Sequence, residues 1–296
     1  MRARRRRWRE AREWMVRAGF QFAAFSSILV TAGIVCFLFS ETVPFFRNVS
    51  LGEFLTGTDW APRDGKFGVL ALVAATVTTT FIALAVAIPI GTIVAIYLSE
   101  FSPHLLRETL KPLLELLSAV PTVVYGYFAL AFVSPILRWF DPDLPTINML
   151  SAGLVMGLMI VPYVSSLSED AMRSVPMLLR EGSYALGGNK LMTAWKVVVP
   201  SAISGIAAAY ILGISRAVGE TMIVAVAAGN QPRFTFNPLD AAQTITAYIA
   251  QASKGDTSHE GIAYQARFAA GLTLFLMTIA FNLIGYWLRR RYHRAY

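Results

Sequence analysis

Arg216 and Glu220 are the residues best placed to do chemistry, because they sit where charge is costly. They lie in GIAAAYILGISRAVGETMIVAVAAG, residues 205–229, among apolar, small and hydroxyl side chains. A charge at the centre of a bilayer costs about 2.5–3.5 kcal/mol on insertion scales, and an intramembrane arginine is by default the mark of a functional site. The spacing of four predicts that both side chains share one helical face. Arginine offers a planar fork of donors and stays charged at any working pH, which suits an oxyanion. That face reads as the lining of an anion path, with Arg216, Glu220 and the adjacent Thr221 as pathway residues. A carboxylate on such a path has two readings. In one, Glu220 accepts a hydrogen bond from a protonated oxyanion, which a fully ionised one cannot supply. In the other, which we favour, Glu220 neutralises Arg216 in the closed state and releases it on opening, since an unpaired buried guanidinium is expensive and one that held its anion too tightly would trap it. The simpler alternative is a structural pair that locks helices together.

Other chemistries find little support. An intramembrane serine protease needs a histidine at depth, but His104, His259 and His293 fall in expected loops or tails and form no ligand spacing. There is no HExxH zinc motif and no GxxxxGK[ST] phosphate loop. The single cysteine, Cys36, excludes a disulfide within the chain. No catalytic residue and no metal site is expected.

The elements that position Arg216 are membrane spans. The chain has 296 residues, of which 55% are hydrophobic, more than a soluble core of this size could hide. Apolar runs of about 20 residues, enough to cross some 30 Å of hydrocarbon, recur along it. The fold class is an all-α polytopic membrane protein with six spans, expected near 18–40, 68–98, 113–137, 149–167, 201–228 and 268–288. The first span is too long for a cleaved signal and lacks a small-x-small cleavage site. Charge is uneven: residues 1–17 carry +6 and residues 289–296 carry +4, against a total of +8. Both termini read as cytoplasmic tails on anionic lipid rather than nucleic-acid arms, flanking one membrane domain over 18–288. With 99–112 and 168–200 on the same side as the tails, that side holds 18 of the 26 Lys and Arg.

Three further features stand out. SAVPTVVYGYF, residues 118–128, places Pro121, Tyr125 and Gly126 where a helix would break, either as a gate lining a cavity or as an ordinary kink. Thr76, Thr78, Thr79 and Thr80 would line a polar path, or more commonly bond back to their own helix. The segment 168–200 is longer than a bundle connection needs. Its apolar residues recur at helical spacing and break at Gly187 and Gly188, predicting helix, turn, helix up to Pro200. Such an elbow is a docking surface, or else an amphipathic loop on the membrane.

Glu181, Gly182, Ser183, Gly187 and Pro200 carry the resemblance to a family. An acid, two small residues, a glycine six after the acid and a proline thirteen after the glycine resemble the coupling loop of ABC-importer permeases. The resemblance narrows through FGVLALVAATVTTTFIALAVAIPIGTIVAIYLSEFSP, VPTVVYGYF and SRAVGETMIVAVAAGN to the PstC-type permease of phosphate importers. Thr221-Met222 favours this type over the sister PstA type. The resemblance implies a type I importer permease fold and inorganic phosphate as substrate, with sulfate, molybdate or phosphonate open on physical grounds. It implies a homologous PstA-type partner, two copies of a cytoplasmic ATPase that bind ATP and magnesium, and an outer phosphate-binding protein. The implied location is the bacterial inner membrane. An ATP-independent channel is the rival from another class.

Overall fold

The chain is helical almost throughout, because hydrocarbon offers backbone amides no partner but the chain itself. The computed structural model describes residues 2–254 and 261–291, with side chains over 12–254 and 261–287. Helix α1 (Arg2–Asn48) leads to a short α2 (Leu51–Thr56). A two-stranded antiparallel hairpin follows, β1 (Trp60–Ala61) and β2 (Lys66–Phe67), with Trp60 opposite Phe67. Next come α3 (Leu70–Ile96), ending in a π-helical turn at Tyr97–Phe101, and α4 (His104–Ser118). α5 (Thr122–Phe128) continues through the π-helical Ala129–Val133 into α6 (Ser134–Arg138). α7 (Met149–Arg173) is capped by Asn148, whose side chain accepts from the Ser151 amide at 2.7 Å. The elbow comprises α8 (Met177–Ala185), α9 (Lys190–Thr193), a π-helical turn over Ala194–Val198 and α10 (Val199–Ser201). α11 (Ile203–Val218), α12 (Met222–Ala227), α13 (Ile245–Lys254) and α14 (Ile262–Arg291) complete the chain.

Among the described residues, four helices are long and apolar enough to cross a membrane: Arg12–Asn48, Leu70–Phe101, Met149–Arg173 and Ile262–Trp287. Two bent pairs raise the number to the expected six when each counts as one span. Several boundaries differ from expectation, among them α7, which runs to Arg173 rather than 167, and α14, which starts at Ile262 rather than 268. The first helix starts at Arg2, so the basic segment expected as a separate tail over 1–17 is continuous with the span. The segment expected as one span over 113–137 is an 88° corner between His104–Ser118 and Thr122–Arg138. Pro121 has no amide to donate and pushes the residue before it out of helical geometry, which ends α4 there. The span expected over 201–228 begins earlier, at Lys190, bends by 72° between Ser201 and Ile203, and stops at Val218. Of the C-terminal tail expected over 289–296, α14 reaches Arg291; residues 292–296, and His259, lie outside the described residues.

The centre of the bundle is the α3–α7 pair. Glycines let the two backbones approach, the device by which membrane helices gain packing without a hydrophobic driving force. A Cβ on Gly153 or Gly157 of α7 would lie 2.7 Å from the branched Cβ of Ile82 or Val86 on α3, and one on Gly91 would meet Val164 at 2.8 Å. Met156, Met159 and Ile160 fill the seam with Ala83 and Ala87. A second cluster is aromatic. Phe45, Phe54, Phe67 and Trp60 meet edge to face and fasten the end of α1 and the hairpin to α13 through Tyr248, whose ring centroid lies 5.0 Å from that of Trp60. A third, with Ile96, Met172, Val198 and Ile206, joins the elbow to the ends of α3 and α7.

Replacing Gly157 by Ala forces its methyl against Val86 and the Ala83 carbonyl, at 2.7 and 2.8 Å. We expect about 1–3 kcal/mol of destabilisation, read as a lower thermal midpoint of the detergent-solubilised protein. An unchanged midpoint would show that α3 and α7 are not held at this separation.

Candidate functional site

Arg216 lies in the last turn of α11 and faces the middle of α7. Its guanidinium stacks on the Tyr163 ring, 4.4 Å from the centroid, and Nη2 lies 4.0 Å from the Met159 sulfur. Met159 and Tyr163 sit near the middle of the 25-residue α7, a helix about 37 Å long. Arg216 is therefore level with the middle of α7. Its Nε is buried with no hydrogen-bond partner, and no carboxylate pairs with it among the described residues. The cation–π contact steadies the charge without neutralising it.

Glu220 does not share a helical face with Arg216. α11 ends at Val218, and the chain is non-helical from Gly219 to Thr221. The expected spacing therefore does not map onto a helix. The Glu220 carboxylate turns instead to the next helix, where Oε1 accepts from the amides of Met222 at 3.0 Å and Ile223 at 3.2 Å. The first amides of a helix have no internal partner and carry the positive end of its dipole, so a carboxylate is favoured there. The backbone carbonyl of Glu220 accepts from the Thr246 hydroxyl of α13 at 2.6 Å. Both sides of the break find protein partners, which helps to make irregular backbone tolerable within a span. The neutralising contact between Glu220 and Arg216 is not made in this state. Thr221 Oγ1 donates to the Gly219 carbonyl at 3.3 Å.

Other expected pathway residues converge on the same break. Gly126 lies against α12, where an added Cβ would sit 3.0 Å from that of Val226 and 3.3 Å from the Met222 carbonyl. Tyr125 donates to the Leu117 carbonyl at 2.7 Å and so locks the corner that Pro121 creates. Two of the threonines bond back to their own helix: Thr76 to Leu72 and Thr79 to Ala75, each at 2.8 Å. Thr76 also accepts from the Ile245 amide at 3.0 Å, which holds the start of α13. α11 is tied on two sides, by Thr92 to Tyr210 at 2.6 Å and by Ser215 to Asn282 at 2.6 Å.

The elbow residues lie apart, at the far end of α7. Gly187 reverses the chain at φ +83°, a conformation L side chains rarely adopt. The Gly188 amide donates to the Ser183 carbonyl at 2.9 Å, and the Ser183 and Thr193 hydroxyls meet at 2.8 Å. Glu181 and Gly182 are exposed, as are Leu178 and Leu186. Pro200 removes a donor from the helical ladder two residues before the 72° bend. What the spacing did not show is the anchor beneath the turn. Arg180 is buried and donates to Glu100 at the end of α3, Nη2 to Oε1 at 2.8 Å and Nε to Oε2 at 3.2 Å. Its remaining donors reach the carbonyls of Val175 at 2.7 Å and Met172 at 2.9 Å. Arg180 and Glu100 are 80 positions apart, and only the fold brings them together. A second clamp stands close by. Fully buried Glu169 of α7 takes Lys111 of α4 at 2.6 Å, with Arg107 and Arg173 within 3.9 Å.

Residues 87–296 match the family model described as binding-protein-dependent transport system inner membrane component. The chain belongs to that family. It is 34% identical over 261 residues to the probable ABC transporter permease protein YqgH of Bacillus subtilis, covering 87% of this chain and 84% of that one. It is 32% identical over 281 residues to the phosphate transport system permease protein PstC of Pasteurella multocida, covering 87% and 85%. The PstC-type resemblance read from the sequence is borne out. Among solved structures, a bacterial alginate ABC transporter in complex with its alginate-pentasaccharide-bound periplasmic protein aligns with TM-score 0.66 at 15% identity, over 95% of each chain. The MetNI methionine transporter in an inward-facing conformation aligns with TM-score 0.55 at 18% identity, over 77% of this chain and 95% of that one. The fold is that of a type I ABC importer permease, and the chain is such an importer's membrane-spanning permease subunit.

Two substitutions probe this geometry. Glu220→Ala removes the cap of α12 and should cost about 0.5–2 kcal/mol of stability, whereas Glu220→Gln retains an accepting oxygen and should cost less. Equal losses in thermal unfolding would mean that the carboxylate acts elsewhere. Arg180→Met strands the buried Glu100 carboxylate, at a cost of about 3–5 kcal/mol. Adding Glu100→Gln should recover part of it. We expect the single variant to be cleaved within 174–200 by limited proteolysis faster than the double, and the reverse order would contradict an anchoring ion pair.

Proposed function

We propose that this chain forms half of the translocation pathway of an ATP-driven importer for inorganic phosphate, with Arg216 as the residue that meets the anion in transit. The observation that carries the proposal is a guanidinium level with the middle of the spanning helix α7 that stacks on Tyr163, leaves its Nε unpartnered and has no carboxylate paired with it among the described residues. A structural arginine at that depth would be paired, because an uncompensated buried charge is costly. An arginine that must bind and release an oxyanion is better left without a resident partner. The PstC relatives support phosphate over other oxyanions.

In this reading Glu220 shapes the path by holding α12 against Gly126, and Thr221 stands at the break. The elbow faces the cytoplasm, as the distribution of Lys and Arg favours. Glu181, Gly182, Ser183 and Gly187, with exposed Leu178 and Leu186, would occupy a cleft of one of two ATPase subunits, which bind the nucleotide and magnesium. A PstA-type permease would complete the pathway, and a binding protein would deliver phosphate to the opposite face. Movement of the elbow reaches α3 through Arg180 and Glu100, and turns the bundle between inward and outward states.

The test is radiolabelled phosphate uptake by proteoliposomes holding the purified complex, with sulfate as competitor. Arg216→Gln removes charge-assisted hydrogen bonds worth about 1.5–3 kcal/mol, so uptake should fall roughly ten- to hundredfold while the ATPase still assembles. Near-normal uptake in that variant would contradict the pathway role, and preferential uptake of sulfate would contradict the substrate.

A further inference from the structure

At the end of the bundle away from the elbow, a cavity of about 340 Å³ opens between the hairpin, the loop after α12, and helices α13 and α14. Two arginines line it, Arg63 from the turn of the hairpin and Arg267 from α14, together with Asn230, Gln243, Tyr248 and Gln251. The Arg267 guanidinium carbon lies over the Tyr264 ring, 3.7 Å from its centroid, with the Phe268 centroid at 5.6 Å. A cation–π contact does not consume the N–H donors of a guanidinium, which stay available as a fork for an oxyanion. Its Nε is buried without a partner, and no carboxylate pairs with it among the described residues. Buried Gln243 donates to the Gln251 carbonyl oxygen, which leaves the Gln251 amide nitrogen with donors to give. Burial pushes the Tyr248 phenol up to about 12, against the smaller opposing pulls of the Trp60 indole and the Arg267 charge, so it remains a donor at any working pH. One exposed carboxylate, Asp64, stands at the rim beside Arg63.

We propose that this recess is a second oxyanion site, at the outer mouth of the permease and separate from Arg216. It rests on the reading of the chain as a phosphate importer subunit whose elbow faces inward. The recess and the inner site share α13: Tyr248 and Gln251 line the recess, while Thr246 of the same helix holds the Glu220 carbonyl. An anion released at the outer face is captured by Arg63 and Arg267 before it reaches the break that holds Arg216. Neutral donors and two cations lining an open cavity favour retention without trapping.

Equilibrium binding of radiolabelled phosphate, sulfate and molybdate to the complete importer in nanodiscs, without binding protein or nucleotide, tests this. It is best done with Arg216→Gln present, so that binding at the inner site is removed. Phosphate should still bind, and adding Arg267→Gln should weaken it about tenfold or more. Arg63 is exposed on a turn, so Arg63→Gln folds normally and should also weaken binding. If both added substitutions leave binding unchanged, or if Arg216→Gln alone abolishes it, the recess is not a site. Binding of sulfate or molybdate in place of phosphate, with the same dependence on Arg63 and Arg267, would keep the recess and reject phosphate as the substrate.

Discussion

A helix broken at membrane depth needs its freed backbone groups satisfied by protein or by a water-filled cavity, and the centre of this molecule is organised around that demand. The break lies at Gly219–Thr221. Glu220 answers it twice, with its carboxylate on the amides that open α12 and its carbonyl on the Thr246 hydroxyl. Those contacts fix α12 against α5 and α13 against α3, through Gly126 and Thr76. Arg216, two residues before α11 ends, is left without an anionic partner. The backbone finds protein partners on both sides of the break while the guanidinium beside it has no anionic one, and in the proposed function a transported anion is its complement.

The opposite end solves a mechanical problem. A short elbow can transmit force only if its root is stiffer than its tip. The tip carries Gly187 in a left-handed turn, with exposed Leu178 and Leu186 nearby. The root is the buried Arg180, which uses its guanidinium to join Glu100 of α3 to two carbonyls at the end of α7 and beyond it. α3 and α7 are in turn packed backbone to backbone along glycines. A displacement of the elbow therefore moves a rigid pair of helices, and α7 carries the Met159 and Tyr163 that touch Arg216. In the proposed cycle this is the route from nucleotide to substrate.

Composition and hydropathy made the membrane fold and six spans legible, because hydrocarbon imposes length and apolarity on each helix. The elbow was legible too, since its glycine pair and terminal proline are local backbone constraints. Helix ends inside the apolar stretches were harder to see. GIAAAYILGISRAVGETMIVAVAAG contains no proline and reads as one continuous helix, yet the fold stops it at Val218 because Thr246 and α12 offer better partners than another turn. The one-face pairing of Arg216 and Glu220 failed for the same reason. Arg180–Glu100 and the Glu169 cluster depend on contacts between distant segments, and nothing local marks them.

The central claim is that Arg216 borders an aqueous anion path rather than a sealed helix seam. With Cys36, the single cysteine, replaced by serine, an Arg216→Cys substitution provides one thiol at the site. The decisive measurement is its modification by a charged, membrane-impermeant thiol reagent in the complete importer, with and without nucleotide. Modification in at least one nucleotide state is the predicted result. A thiol that stays unmodified in every state, while a control cysteine in the Gly187 turn reacts, would contradict the account.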